Sequence, residues 1–521
     1  MLNARVRSVL MVTAAALAVS ACGADDIASP GEGTIVIPAP APAPAPAPTP
    51  TPTPPSTVTP AAACPSSLFT DRGTITGPTG TYRNCEFPSR FTANAQIAAV
   101  PGVIYSLGGR VDVGTDQGAS STGNNVTLTI DPGVVIFGST GVSFLVVNRG
   151  NRIDAVGTPT RPIIFTGRQN VTGAVTDDSS QLWGGVVLLG RAPITDCLAS
   201  NATPGTAACE RDTEGTTGAL YGGAQPADNS GTMRYVQIRY SGFILSANSE
   251  LQGLTPSGTG SGTTLEFIQV HNSSDDGIEV FGGRANMKNL VITGAEDDSL
   301  DTDVGYKGFI QFVIGIQRDA VGDSMIEADS DNANDGQTPR QNVRMSNFTF
   351  IKNGDNRAGN NGTAILLRGG TDYSMFNGVM RSPGLPCLAI SRAQTAATAA
   401  DAAIDEAGAP VFRSVQFQCP SGNAFSGRNG VTNDQVAAIF NAGTNTSSTF
   451  SPTLSAIYIN GSAETAIPAF NAATINAFFT TTSYIGAVRD TSDRWFAGWT
   501  CNASYANFGT TSSSCTSLPT T

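Results

Sequence analysis

Three acidic runs follow one another along the chain: SSDDGIEVFGG at 273–283, AEDDSLDTDVGY at 295–306 and IEADSDNANDG at 326–336. Between Asp275 and Asp335 lie fourteen of the 41 carboxylates, against four basic residues, Arg284, Lys288, Lys307 and Arg318. Carboxyl groups at this density have three uses. They hold a hard cation through oxygen, they exchange protons as an acid–base pair, or they face water at turns, which Asp favours. Cysteine has no part in such a site, because no CxxC occurs, and His271 is the only histidine. An oxygen-only donor set suits Ca²⁺ better than a transition metal.

The spacing of the acids is regular. A forward shift of 22 residues carries Val270 onto Ile292, Asp275 onto Asp297, Asp276 onto Asp298, Ile278 onto Leu300 and Glu279 onto Asp301. A further shift of 26 carries Leu300 onto Ile326, Asp301 onto Glu327 and Asp303 onto Asp329. Apolar positions meet apolar ones and acids meet acids. Around them stand short β-branched runs such as NVTLTI, GVVIFG, GGVVLLG, YVQIRY, NLVIT and FTFI, separated by Gly, Asn and Asp. Strand-length runs with turn residues between them, repeating every 22–26 residues, predict the stacked coils of a parallel β-helix. Coils stack about 4.8 Å apart, so the sequence repeat would bring like charges face to face. At an effective dielectric of about 20, each such pair repels by roughly 3 kcal/mol. The expected ladder is Asp275, Asp276, Glu279, Asp297, Asp298, Asp301, Asp303, Glu327 and Asp329, with Ca²⁺ as its neutralising ion. A solvated or arginine-neutralised face and an acid–base site are the alternatives.

LTIDPGVVIFG (128–138), IDAVGTPTRPIIFTG (153–167), LWGGVVLLGRAPI (182–194), LYGGAQPADNSGTMRYVQIRYSG (220–242), SDDGIEVFGGRANMKNLVITGAEDDSLDTDVGYKG (274–308) and the closing YIGAVRD…GWT (484–500) resemble bacterial right-handed parallel β-helix surface lipoproteins of pectate-lyase-like fold. The resemblance covers most of 95–385 and the C-terminal end. It implies the fold and an association with outer-membrane uptake machinery, and it implies no single activity. Polygalacturonases and pectate lyases share the fold. The first group uses clustered aspartates, which DDGIE and EDDSLD echo, and the second uses Ca²⁺ with a basic residue. The histidine and Arg-x-Lys motifs of the hydrolases are missing here, and nothing in the context of Lys307 or Arg368 marks a lyase base. His271 reads as a turn residue, Trp183, Trp495 and Trp499 as packing residues, and GTGSG (258–262) as a corner.

The N-terminus gives an address. MLNARVRSVLMVTAAALAVSAC has two arginines, an apolar run too short to span a bilayer, and small residues leading into Cys22. It resembles a lipoprotein signal, which implies cleavage after 21 and lipidation of Cys22, with palmitate among the acyl chains. Gly23 in place of an aspartate favours the outer membrane. Proline-rich chain, extended and unable to pack, fills 38–60. The expected organisation is a signal at 1–21, a lipid-anchored stalk at 22–63, an N-terminal cap and first coil at 64–123, the helix at 124–386, and C-terminal coils, helical insertion and cap at 387–521. Helices are expected at 393–408 and 432–443. The formal charge of −12, −14 without Arg5 and Arg7, argues against nucleic acid as partner. A glycan or an outer-membrane transporter remains as partner, and oligomeric state is unreadable. Eight cysteines beyond Cys22 fall into neighbouring pairs, Cys64/Cys85, Cys197/Cys209, Cys387/Cys419 and Cys501/Cys515, and an even count in an exported chain predicts disulfides. The class is all-β: a right-handed parallel β-helix with disulfide-stapled caps and a few short C-terminal helices.

Cys22→Ala should leave the protein unprocessed or soluble in the periplasm. Acyl chains and outer-membrane partitioning that survive in the variant would refute the lipid anchor.

Overall fold

Alternation of apolar and polar residues decides which side of each strand turns inward. In the strand Ile278–Phe281, Ile278 and Val280 are fully buried in the main core, while Glu279 and Phe281 point to the other face. The next coils repeat the pattern with Leu300 and Thr302, then Ile326 and Ala328, on the inside. A computed structural model describes residues 58–519 except 124, 247–248, 320, 331–335, 337 and 354–361. Cys22, the signal, most of the stalk, and Asp331 and Asp335 of the third acidic run lie outside the described residues.

Among the described residues, two large sheets run the length of the stack, one of 15 strands (sheet A) and one of 11 (sheet B). Apart from an N-terminal antiparallel hairpin, Thr70–Gly77 with Gly80–Glu86, their strands pair in parallel from coil to coil. This is a parallel β-helix, with one interior core threaded through every coil. Each long strand of sheet A bends at one residue in the left-handed region: Tyr235, Phe267, Asn289, Phe312, Asn347, Asn377 and Ser414, all with φ between 51° and 62°. The seven occupy equivalent positions in the ladder. Asn accepts this backbone readily; Tyr and Phe do not, so stacking on neighbouring coils must hold them there.

The C-terminal part departs from expectation in two ways. First, the alanine-rich 393–408 is irregular except for a single 3₁₀ turn, Ala402–Ile404, which Asp401 caps and Asp405 ends in the left-handed region. Ion pairs override its helix propensity. Lys307 holds Asp405, and the buried Arg340 holds Glu406 together with Asp372, the latter at 3.3 Å. The helix expected at 432–443 does form, as Asn433–Asn441, started by a Thr432/Gln435 capping box and closing the last coil with Val436 and Phe440. Second, residues beyond about 450 do not cap that end. They run back along sheet A as a strap held by side-chain amides. Asn377 exchanges two hydrogen bonds with the backbone of Phe470 (2.8 and 2.7 Å). Gln311 does the same with Thr480 (2.8 and 2.8 Å) and Gln269 with Cys501 (3.0 and 2.7 Å). Leu518 ends against Ile75, Ile104 and Val135 of the first coils. Buried peptide groups of a non-strand segment need partners, and the amide ladder supplies both donor and acceptor.

Four disulfides join Cys64–Cys85, Cys197–Cys209, Cys387–Cys419 and Cys501–Cys515. They hold, in turn, the N-terminal cap, an excursion over sheet B, adjacent coils near the C-terminal end, and the strap. Trp183 lies in the main core, its indole N–H donating to the Arg239 carbonyl at 2.8 Å, while Trp495 and Trp499 pack in the strap.

Candidate metal centre

Sheet B positions the acids. Glu279 stands beside Asp301, and Asp301 beside Glu327, as direct partners on three successive coils. Asp303 follows Asp301 on the same outward side. The turn entering sheet B brings Asp275, Asp276, Asp297 and Asp298 next to them. Here the backbone uses part of the donor set. The Asp298 N–H donates to Asp276 Oδ1 at 2.7 Å, and the Ser324 N–H donates to Asp298 Oδ1 at 2.5 Å. Each aspartate thus braces the coil that follows with one oxygen and keeps the other for the ladder. Gln252 donates to Asp275 Oδ2 at 3.2 Å.

Carboxylate oxygens converge in three groups, each within 4.8 Å: Asp275, Asp276 and Asp297; Asp276, Glu279 and Asp301; Asp298, Asp301 and Glu327. The groups share Asp276 and Asp301, so they form one continuous track across three coils. Asp303 and Asp329 adjoin it. Asp303 Oδ1 is buried without a hydrogen-bond partner. At the C-terminal end Arg368, one coil further on, pairs with Glu327 and with Asp329 at 3.3 Å. The arginine-neutralised reading therefore holds for Glu327 and Asp329.

Burial and mutual repulsion disfavour the ionised form of these groups. Burial first, then Glu250, Asp297 and Glu214, pushes Asp275 up to about 7. Burial and the neighbouring carboxylates hold Asp276, Glu279, Asp298, Asp301 and Asp303 well above the usual range. Glu327 is raised by burial while Arg368 opposes the shift. Away from Arg368, such a set is accommodated at neutral pH by taking up protons or by holding cations.

Three residues of the neighbourhood were not in the expected ladder. Asp323 was legible: the same 26-residue shift carries Asp297 onto it, and its N–H donates to the Asp297 carbonyl at 2.8 Å. Glu214 and Glu250 were not. They come from excursions that break the repeat, the first beside Thr213, whose hydroxyl lies 3.1 Å from Ser257 on sheet B, the second on a short hairpin paired with Ile244. His271 is not a turn residue. It ends the sheet A strand Thr264–His271, fully buried, its Nδ1 2.9 Å from the Thr293 hydroxyl and its ring stacked on Tyr505. Lys307 belongs to the Asp405 pair.

A family model described as a pectate-lyase like beta helix domain matches residues 115–500. No curated protein matches, and no solved structure does.

In chelator the stability should fall as pH rises. A carboxyl whose folded value is raised favours folding fully below its ordinary value near 4, and the benefit is lost as pH climbs through the folded value. Asp275 and Asp372, both pushed up to about 7, place the main loss near neutrality, and the deeper acids extend it upward. His271, held neutral by burial, tilts the curve the other way only below about 6.5. Melting curves between about pH 5 and 8.5 should show a drop on the order of several kcal/mol from mid-range to the alkaline end. A chelated protein that gains stability from pH 7 to 8.5 would contradict the buried ladder.

Proposed function

This chain belongs to the pectate-lyase like beta helix domain family, and from that premise we propose that it is a calcium-carrying scaffold, held at the outer membrane by an N-terminal lipid, that binds an extracellular glycan, ligand or partner rather than cleaving one. Fold alone does not assign an activity within such a family. The observation that carries the proposal is the track of overlapping carboxylate groups with oxygens within 4.8 Å of one another. Ca²⁺ takes six to eight oxygens at about 2.3–2.6 Å, a demand that oxygens at such separations meet around a shared centre. A glycosidase needs its two carboxyls about 5–5.5 Å or 6.5–9.5 Å apart, with a sugar or a water between them. Asp276 and Asp298 are also tied to backbone N–H groups of the following coils, which suits a fixed cage more than a proton shuttle. The lipoprotein-like signal ending at Cys22 and the proline-rich stalk of the sequence support a body displayed away from the membrane, suited to an accessory role beside an outer-membrane transporter.

One observation favours a second reading, a polysaccharide lyase. Arg368 lies at the end of the track with its side chain 36% exposed, and a partly exposed basic residue beside carboxylates is the residue type a calcium-dependent lyase uses. Its ion pairs with Glu327 and Asp329 make it a counter-charge in the first reading. The protein incubated with polygalacturonate and Ca²⁺ should release no unsaturated product, followed by its ultraviolet absorbance. Product that forms and is lost in Arg368→Ala would replace the scaffold by the lyase.

A further inference from the structure

At the last strand of sheet A, three segments outside the coil repeat meet around a cleft of about 890 Å³. The strand Val411–Gln418 contributes Val411 and Phe412. The alanine-rich segment and its end contribute Ala396 and Ala409, the helix Asn433–Asn441 contributes Ala438 and Ile439, and the strap contributes Phe470. Half of the lining residues are alanine, glycine or proline. Such walls lose almost no side-chain freedom when a guest covers them. Val411 is 36% exposed and Ile439 is half-buried, so apolar surface reaches water here. The volume is that of a small-molecule site, which is mostly apolar with a few polar groups to fix orientation.

One charge belongs to this apolar space. Arg413 is the only charged residue that lines it among the described residues. Its guanidinium lies over the Phe470 ring at 4.7 Å. Phe470 is itself fixed, by two hydrogen bonds with Asn377 and by a tilted ring contact with Phe376 at 4.9 Å. The acids of the alanine-rich segment are engaged elsewhere. Asp401 caps its own 3₁₀ turn, Lys307 holds Asp405, and Arg340 holds Glu406. The same ion pairs keep the segment from becoming a helix and leave it as a wall of the cleft. No carboxylate lies within ion-pair distance of Arg413 among the described residues. The ring fixes the stem of the cation, so an incoming anion meets a charge already in place and loses less side-chain freedom. Apolar walls around the pair strengthen their attraction over that in open water.

We infer that the cleft binds a small molecule with an apolar aryl or alkyl body and a single anionic group, a carboxylate or sulfonate, which Arg413 holds. The lining side chains offer hydrogen bonds only at Thr398, Gln435, Thr444 and Arg413. A sugar needs a partner for each hydroxyl it buries, whereas a hydrocarbon body needs none. A dianion would leave its second charge against an apolar wall with no counter-charge. The cleft shares no residue with the carboxylate track and uses no metal, so it does not depend on the calcium reading.

Anilinonaphthalene sulfonate and phenylnaphthylamine share an aryl body and differ by the sulfonate, so fluorescence titration of the full chain with each makes the test. The parent should bind the sulfonate saturably and more tightly than the amine. Arg413→Gln should weaken the sulfonate about tenfold and leave the amine unchanged, while Arg413→Lys should retain most of the affinity. Ala438 is exposed, so Ala438→Trp should fill the cleft and remove both signals with the melting temperature kept. Four results would each overturn the inference: no saturable binding of the sulfonate by the parent, undiminished binding of it by Arg413→Gln, equal loss of both probes in Arg413→Gln, or both signals intact in Ala438→Trp. A parent that sediments as a dimer beside an Ala438→Trp chain that sediments as a monomer would also overturn it, because a second copy would then fill the cleft.

Discussion

Register between coils is the constraint on which the rest depends. In a parallel β-helix a residue's nearest outward neighbours are those 22 to 26 positions away, about 4.8 Å above and below. The same register that stacks Ile278 on Leu300 and Ile326 also stacks Glu279 on Asp301 and Glu327. The apolar column sets the alignment, because slipping it by one residue would turn every inward side chain outward. The acids therefore cannot relieve their repulsion by shifting. They must be neutralised where they stand, and Arg368 does this for Glu327 and Asp329.

Outside the coils the chain solves a different problem. A stack has an outward face on every side, and sheet A covers part of its own with a strap of the same chain. The strap is too irregular to pair as a strand, so Gln269, Gln311 and Asn377 bond to its peptide groups one by one. Main-chain recognition of this kind makes few demands on strap sequence, while the strap's Phe478 and Phe470 lie under Lys288 and Arg413 of sheet A. Fold closure and surface chemistry are thus linked through one segment.

What the sequence made legible follows from this division. Periodic features could be read: the coil repeat, the inward apolar column, the vertical partners of Asp276 and Glu279, and Asp323 had the shift been carried to Asp297. Features held by non-periodic contacts could not. Glu214 and Glu250 reach the ladder from excursions of no fixed length. The alanine-rich 393–408 looked helical because its propensity is local, whereas Arg340 and Lys307, which hold it in another form, are distant in sequence. The return of the strap was hidden because its partners are single Gln and Asn side chains with no repeat of their own on the strap. Tyr235 and Phe267, bent into the left-handed region, carry no signature that Gly or Asn would have given.

Cation binding to the carboxylate track is tested most directly by thermal melting of two proteins, the parent and Asp298→Asn with Asp301→Asn, each with calcium and with chelator. Asparagine keeps an oxygen for the Ser324 and Thr302 N–H groups that these aspartates accept, so the change removes charge and spares the turns. A ligand that binds only the folded state at about 100 times its Kd adds about 2.7 kcal/mol, a shift of a few degrees for a body of this size. The parent should melt higher with calcium by that amount. The variant should show little difference between the two conditions and, in chelator, should be no less stable than the parent, because it has lost repulsion. Identical parent curves with calcium and with chelator would mean that protons or arginine neutralise the ladder and that it holds no cation.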